Sequence, residues 1–129
     1  MTWTDDLATG VKLIDYQHKQ LCEAIDRLLE ACKNGKGRTE VITTITFLFD
    51  YTKKHFSDEE IIQKESGYPK CVEHKALHDD FVKKLGEVKE DVIKNGVGIT
   101  TVGQVNSLLV NWLISHIKRV DKEISQYAK

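Results

Sequence analysis

The chain has 129 residues, a length that fits one domain spanning residues 1–129 and leaves little room for a second independent core. It is 40% hydrophobic and 30% charged, with 19 basic against 20 acidic side chains and a formal net charge of -1. That balance argues against a disordered or polyionic chain and removes the electrostatic footprint of nucleic-acid binding.

No stretch approaches the roughly 20 apolar residues of a membrane span, and Met1 to Gly10 lacks the basic-then-apolar layout of a secretory leader. Cys22, Cys32 and Cys71 cannot all pair within the chain, which fits packed or idle thiols in a reducing, cytoplasmic setting.

A single proline, Pro69, and long periodic runs of apolar residues predict a mostly helical chain. After an irregular Met1 to Val11, a first helix carries the stripe Ile14, His18, Leu21, Ile25, Leu28 and Cys32. A break at Asn34-Gly35-Lys36-Gly37 precedes a second stripe of Val41, Ile45, Leu48, Thr52, His55, Glu59 and Ile62. Ser66-Gly67-Tyr68-Pro69 introduces the third, Cys71, His74, His78, Phe81, Leu85, Val88 and Val92. Asn95-Gly96-Val97-Gly98 introduces the fourth, Val102, Val105, Leu109, Trp112, His116 and Val120. Steps of three and four residues keep each set on one helix face.

Short links between long helices favour antiparallel neighbours, so the expected fold is all-α: an up-down-up-down four-helix bundle with an irregular N-terminal arm. That topology brings His18, His55, Glu59, His74, His78 and His116 to the same end of the bundle. A single inward histidine is satisfied by a carbonyl or a neighbouring side chain; five at one level beside a glutamate point to a metal site.

The spacings support this. His55 and Glu59, like His74 and His78, are four residues apart, which leaves each pair about 40° apart on an ideal helix. Lys75 stands where a zinc-protease helix of the type H-E-x-x-H needs its glutamate, so that reading is excluded. His116 and Asp121 are five apart, roughly 140° on an ideal helix, and the stripe itself selects Val120. Asp121 therefore reaches the cluster only through a distortion such as a π-type turn, or across a wide centre. Five imidazoles are too many for one four-coordinate zinc, whereas two carboxylate-bridged ions accommodate them; the ligand types leave iron, copper, nickel and zinc open.

These residues resemble the hemerythrin family, and most of all its single-domain bacterial members, the bacteriohemerythrins. The resemblance spans essentially the whole chain. It includes Trp3 and Gly10, Ile14-Asp15-Tyr16-Gln17-His18, H-F-S-D-E-E from His55 to Glu60, Y-P-x4-H-K-x2-H-x2-F from Tyr68 to Phe81, and W-L-x2-H-I-x3-D from Trp112 to Asp121.

The resemblance implies a non-haem centre of two iron ions, one held by His74, His78 and His116 and the other by His18 and His55. Glu59, Asp121 and a solvent-derived oxo or hydroxo group would bridge them. It also implies reversible dioxygen binding at the open position of the two-histidine iron, with Leu21, Phe56, Trp112 and Ile117 as the expected pocket walls. The expected role is an oxygen carrier, store or sensor, with dioxygen or another small ligand such as nitric oxide as partner, no nucleic acid or membrane, and a monomeric or weakly oligomeric state. The alternative is a di-iron enzyme reducing peroxide, nitric oxide or dioxygen on the same scaffold. No base or nucleophile stands out beyond the ligands, so no catalytic residue is assigned. Gln17, Asp15 and Glu60 are candidates by proximity to orient the ligand imidazoles, though a surface or capping role is the favoured reading of each, and Tyr16 and Cys22 are candidate redox-active side chains near His18.

Overall fold

The computed structural model describes residues 3–33 and 38–128. After a 3-10 turn at Asp5–Leu7, three long α-helices follow: α1 at Lys12–Lys33, α2 at Arg38–Ser66 and α3 at Cys71–Asn95. A fourth helix, α4, runs over residues 99–124 and alternates between α and π winding, with π segments at Asn106–Leu113 and Ile117–Asp121. The described residues contain no strand. Helix α1 packs along α2, α2 along α3, and α4 against both α3 and α1, which closes the up-down-up-down bundle. The predicted break at Asn34-Gly35-Lys36-Gly37 lies outside the described residues.

The helix ends follow from local chemistry. Before α1, the Asp15 carboxylate accepts from Thr9 N, Thr9 Oγ1 and Gly10 N at 2.7, 2.8 and 3.0 Å, which fixes the approach of the N-terminal arm. Helix α2 stops in a Schellman motif: Gly67 at φ +76° lets its own N–H reach the Lys64 carbonyl and the Tyr68 N–H reach that of Gln63, before Pro69 bars continuation. At the start of α4, Gly98 N donates to Thr101 Oγ1 at 2.9 Å and Thr101 N to the Gly98 carbonyl at 3.1 Å.

The apolar core fills the bundle away from the histidines, with Ile25 and Leu28 of α1, Ile45 and Leu48 of α2, Leu85 of α3 and Leu109 of α4 all shielded from solvent. Most stripe positions are buried as expected. The exceptions are Cys32, Ile62 and Cys71, half-buried at helix ends, and Val102, Trp112 and Val120 on α4. Val102 precedes the π segments; for Trp112 and Val120, the wider winding carries the inward face instead through Leu109, Leu113, Ile117 and Asp121 in four-residue steps. Leu7 is buried as well, and its turn packs on the second π segment, where Lys118 pairs with Asp6 at 3.1 Å. No helix among the described residues is long and apolar enough to cross a membrane.

Phe81 is fully buried where the core meets the histidine end. Phe81→Ala is expected to destabilise the protein by about 3–5 kcal/mol, measured as a lowered midpoint in urea unfolding.

Candidate metal centre

The antiparallel arrangement delivers every candidate ligand to one level. His18 comes from the first turns of α1, His55 and Glu59 from the last turns of α2, His74 and His78 from the first turns of α3, and His116 and Asp121 from the last turns of α4. All seven are at most 5% exposed. Their donor atoms fall into two groups, each with members within 4.8 Å of one another: His74, His78 and His116 with Glu59 and Asp121, and His18 and His55 with the same two carboxylates.

Glu59 sits between the groups, with Oε1 3.0 Å from His74 Nε2 and 3.3 Å from His78 Nε2, and Oε2 3.1 Å from His55 Nε2. Asp121 spans them in the same way, with Oδ1 2.9 Å from His74 Nε2 and 3.1 Å from His116 Nε2, and Oδ2 3.1 Å from His18 Nε2. The π segment Ile117–Asp121 makes this possible, because i→i+5 winding widens the turn that an α-helix would have used to swing Asp121 outward.

These contacts are short but poorly directed. Both oxygens of Glu59, both of Asp121 and Nε2 of His78 are buried without a hydrogen-bond partner. His18 Nε2 faces His55 Nε2 at 3.0 Å, and His74 Nε2 faces His116 Nε2 at 3.0 Å. The donor atoms thus aim at common points rather than at one another. Each unpaired buried acceptor costs about 1–3 kcal/mol, a cost that cations at those points remove. Five imidazoles and two shared carboxylates fit two transition-metal ions better than one.

The electrostatics show the same demand for positive charge. Burial raises the pKa of both carboxyl groups, and the Glu59 charge raises that of Asp121 further, yet the surrounding imidazoles hold both well below the usual carboxylate range. Burial lowers His18 and His74, but Asp121 and Glu59 outweigh it and push both rings up to about 9. For His55 burial prevails and lowers the pKa.

Polar side chains hold several rings from behind. His55 Nδ1 meets Gln17 Oε1 at 2.8 Å, and Gln17 Nε2 donates to Asp58 Oδ2 at 2.8 Å. His78 Nδ1 meets Glu60 Oε2 at 2.9 Å. Gln17 and Glu60 therefore contact ligand-type histidines rather than serving as surface or capping residues, whereas Asp15 takes the capping role at the start of α1. Sequence reasoning missed Gln63, which is fully buried with Nε2 2.9 Å from His74 Nδ1. Its four-residue spacing from Glu59 was the available signal.

Of the expected pocket residues, Leu21, Phe56 and Ile117 share the buried core, with Trp112 packed against it. Phe56 lies flat on His78, with ring centroids 3.7 Å apart and planes at 2°, and Trp112 lies flat on His116 at 4.9 Å and 8°. Trp112 also lines an outer groove of about 540 Å³ with Leu77, Asn111 and Arg119.

Fold and site together define a metal-binding helical bundle whose centre is built from five histidines and two shared carboxylates. Comparison with known proteins places it more narrowly. Residues 9–128 match the model of the hemerythrin HHE cation binding domain, and the chain belongs to the hemerythrin family. It is 34% identical over 121 residues to a bacteriohemerythrin of Pseudomonas aeruginosa, covering 94% of this chain and 76% of that one. It is 31% identical to a bacteriohemerythrin of Stenotrophomonas maltophilia, covering 100% and 82%, and 26% identical to the myohemerythrin of Sipunculus nudus, covering 92% and 86%. A crystal structure of wild-type hemerythrin superposes with a TM-score of 0.85 at 29% identity, covering 98% of this chain and 96% of the other.

The two candidate redox side chains are not equipped for that role. Tyr16 is 59% exposed and points to solvent, and Cys22 is buried, its thiol pushed up to about 12 by burial and, to a smaller degree, by the charge of Asp26. At pH 8 the Cys22 thiolate fraction is lower than that of a free cysteine by on the order of a thousandfold. Mass spectrometry after brief iodoacetamide treatment of the folded protein is expected to find Cys22 unmodified, with alkylation confined to the less buried thiols.

Proposed function

We propose that this protein holds two iron ions and binds dioxygen reversibly, as a cytoplasmic carrier, store or sensor rather than an enzyme. The supporting observation is the inequality of the two donor groups. Both share Glu59 and Asp121, but one adds three imidazoles and the other two. The position served by His18 and His55 has one protein donor fewer, which leaves it the place for an external ligand. His74, His78 and His116 saturate the other with protein donors.

A pair of ferrous ions supplies the two electrons that reversible dioxygen capture draws on. The chain's own part is to hold, orient and exclude. Gln17 fixes the tautomer of His55 by accepting at Oε1, and Glu60 does the same for His78. Leu21, Phe56, Ile117 and Trp112 supply apolar bulk around the ligands, which favours a small diatomic over water and keeps reductants out. The free cysteines suit a reducing compartment.

The first test couples iron quantification with visible spectra of one sample reduced without air, exposed to dioxygen and returned to vacuum. The expected result is two irons per chain and a colour that appears with dioxygen and disappears under vacuum. Rapid one-way oxidation would instead favour a di-iron reductase, and absence of iron would overturn the reading. Ile117→Glu probes the pocket. A carboxylate in place of this buried side chain is expected to compete for the open position and abolish the dioxygen-dependent spectrum while two irons remain; unchanged binding would remove Ile117 from the pocket.

A further inference from the structure

Gln63 reaches the cluster without belonging to its donor set. Its side chain is fully buried in α2, its Nε2 lies 2.9 Å from His74 Nδ1, and its Oε1 has no hydrogen-bond partner. His55 and His78 present their Nδ1 atoms to oxygens, those of Gln17 and Glu60, whereas His74 presents its Nδ1 to a nitrogen.

A neutral imidazole has one N–H and one lone pair to offer. When Nε2 gives its lone pair to a metal ion, the proton resides on Nδ1 and requires an acceptor there. We propose that Gln63 is the positioning residue of His74: a half-turn of its amide places Oε1 on Nδ1–H and commits Nε2 to the centre. This rests on the paired-iron reading above. The half-turn leaves the shape of the amide unchanged, so it needs no repacking; it exchanges which end of the amide faces Nδ1.

The surroundings fix everything except that rotation. The Gln63 carbonyl accepts the Tyr68 N–H at 3.0 Å in the cap that ends α2, so the backbone is pinned. The Tyr68 ring, itself buried, stands edge-on to His74 with centroids 5.9 Å apart and planes at 69°. Its hydroxyl is directed away, to Glu123 Oε2 at 3.2 Å, and so does not compete for Nδ1. Among the described side chains, Gln63 is the one hydrogen-bonded to this nitrogen.

The test uses the full chain with zinc as a diamagnetic probe and iron as the redox-active one. Nitrogen NMR of 15N-histidine-labelled, zinc-loaded protein is expected to show His74 protonated at Nδ1, with slow exchange of that proton. Gln63→Leu keeps the bulk and removes the acceptor. It is expected to speed the exchange and to weaken zinc binding about tenfold, the low end for a lost supporting bond. Gln63→Glu, a permanent acceptor, is expected to restore both. With iron, the midpoint potential is expected to rise in the leucine variant and fall in the glutamate variant, a pair of opposite shifts that loss of packing alone does not produce. A leucine variant matching wild type in exchange and potential would overturn the proposal, as would a His74 ring protonated at Nε2 in the zinc form. Failure of the paired-iron reading registers separately, as wild-type protein that takes up fewer than two irons.

Discussion

Two carboxylates sealed beside five imidazoles must have their charge answered from within the set or by ions held among them. Glu59 faces rings of α1, α2 and α3 and Asp121 rings of α1, α3 and α4, so neither can be satisfied by one helix or one pair of helices. The requirement ties all four helices to a single level. It also explains why the rings are braced from behind: an imidazole free to rotate would lose its aim at the shared points. Gln17 and Glu60 brace two of the rings, and Phe56 and Trp112 press flat against two.

The bracing differs between the two groups. On the three-histidine side the rings of Phe56, His78, Phe81, Trp112 and His116 form a continuous packed series. On the other side His55 is tied through Gln17 to Asp58, which Lys54 also contacts at 2.8 Å near the surface, while His18 Nδ1 is buried without a partner. One metal position is therefore held by stacked aromatic surface and the other by a polar chain leading outward.

Much of this was legible in the sequence because the same periodicity that defines a helix face also defines which histidines share it. His18, His55, Glu59, His74, His78 and His116 fell on inward stripes, and the short links fixed their common height. Asp121 did not fall on its stripe, because a 3.6-residue repeat cannot anticipate where a helix widens; the same change of winding moved Trp112 and Val120 off the inward face. Gln63 escaped notice because hydropathy favours Ile62 at that turn, and a buried amide is justified only by a partner on another helix. Asp15 keeps the capping role that its position at the start of α1 favours, because the N–H groups of Thr9 and Gly10 lie within its reach.

The apolar core and the histidine end occupy different parts of the bundle. Ile25, Leu28, Ile45, Leu48, Leu85 and Leu109 bury apolar surface from all four helices, a contribution to stability separate from the donor groups. Core packing and donor geometry are thus set in different parts of the bundle, so substitutions far apart in the two parts are expected to act nearly independently on stability.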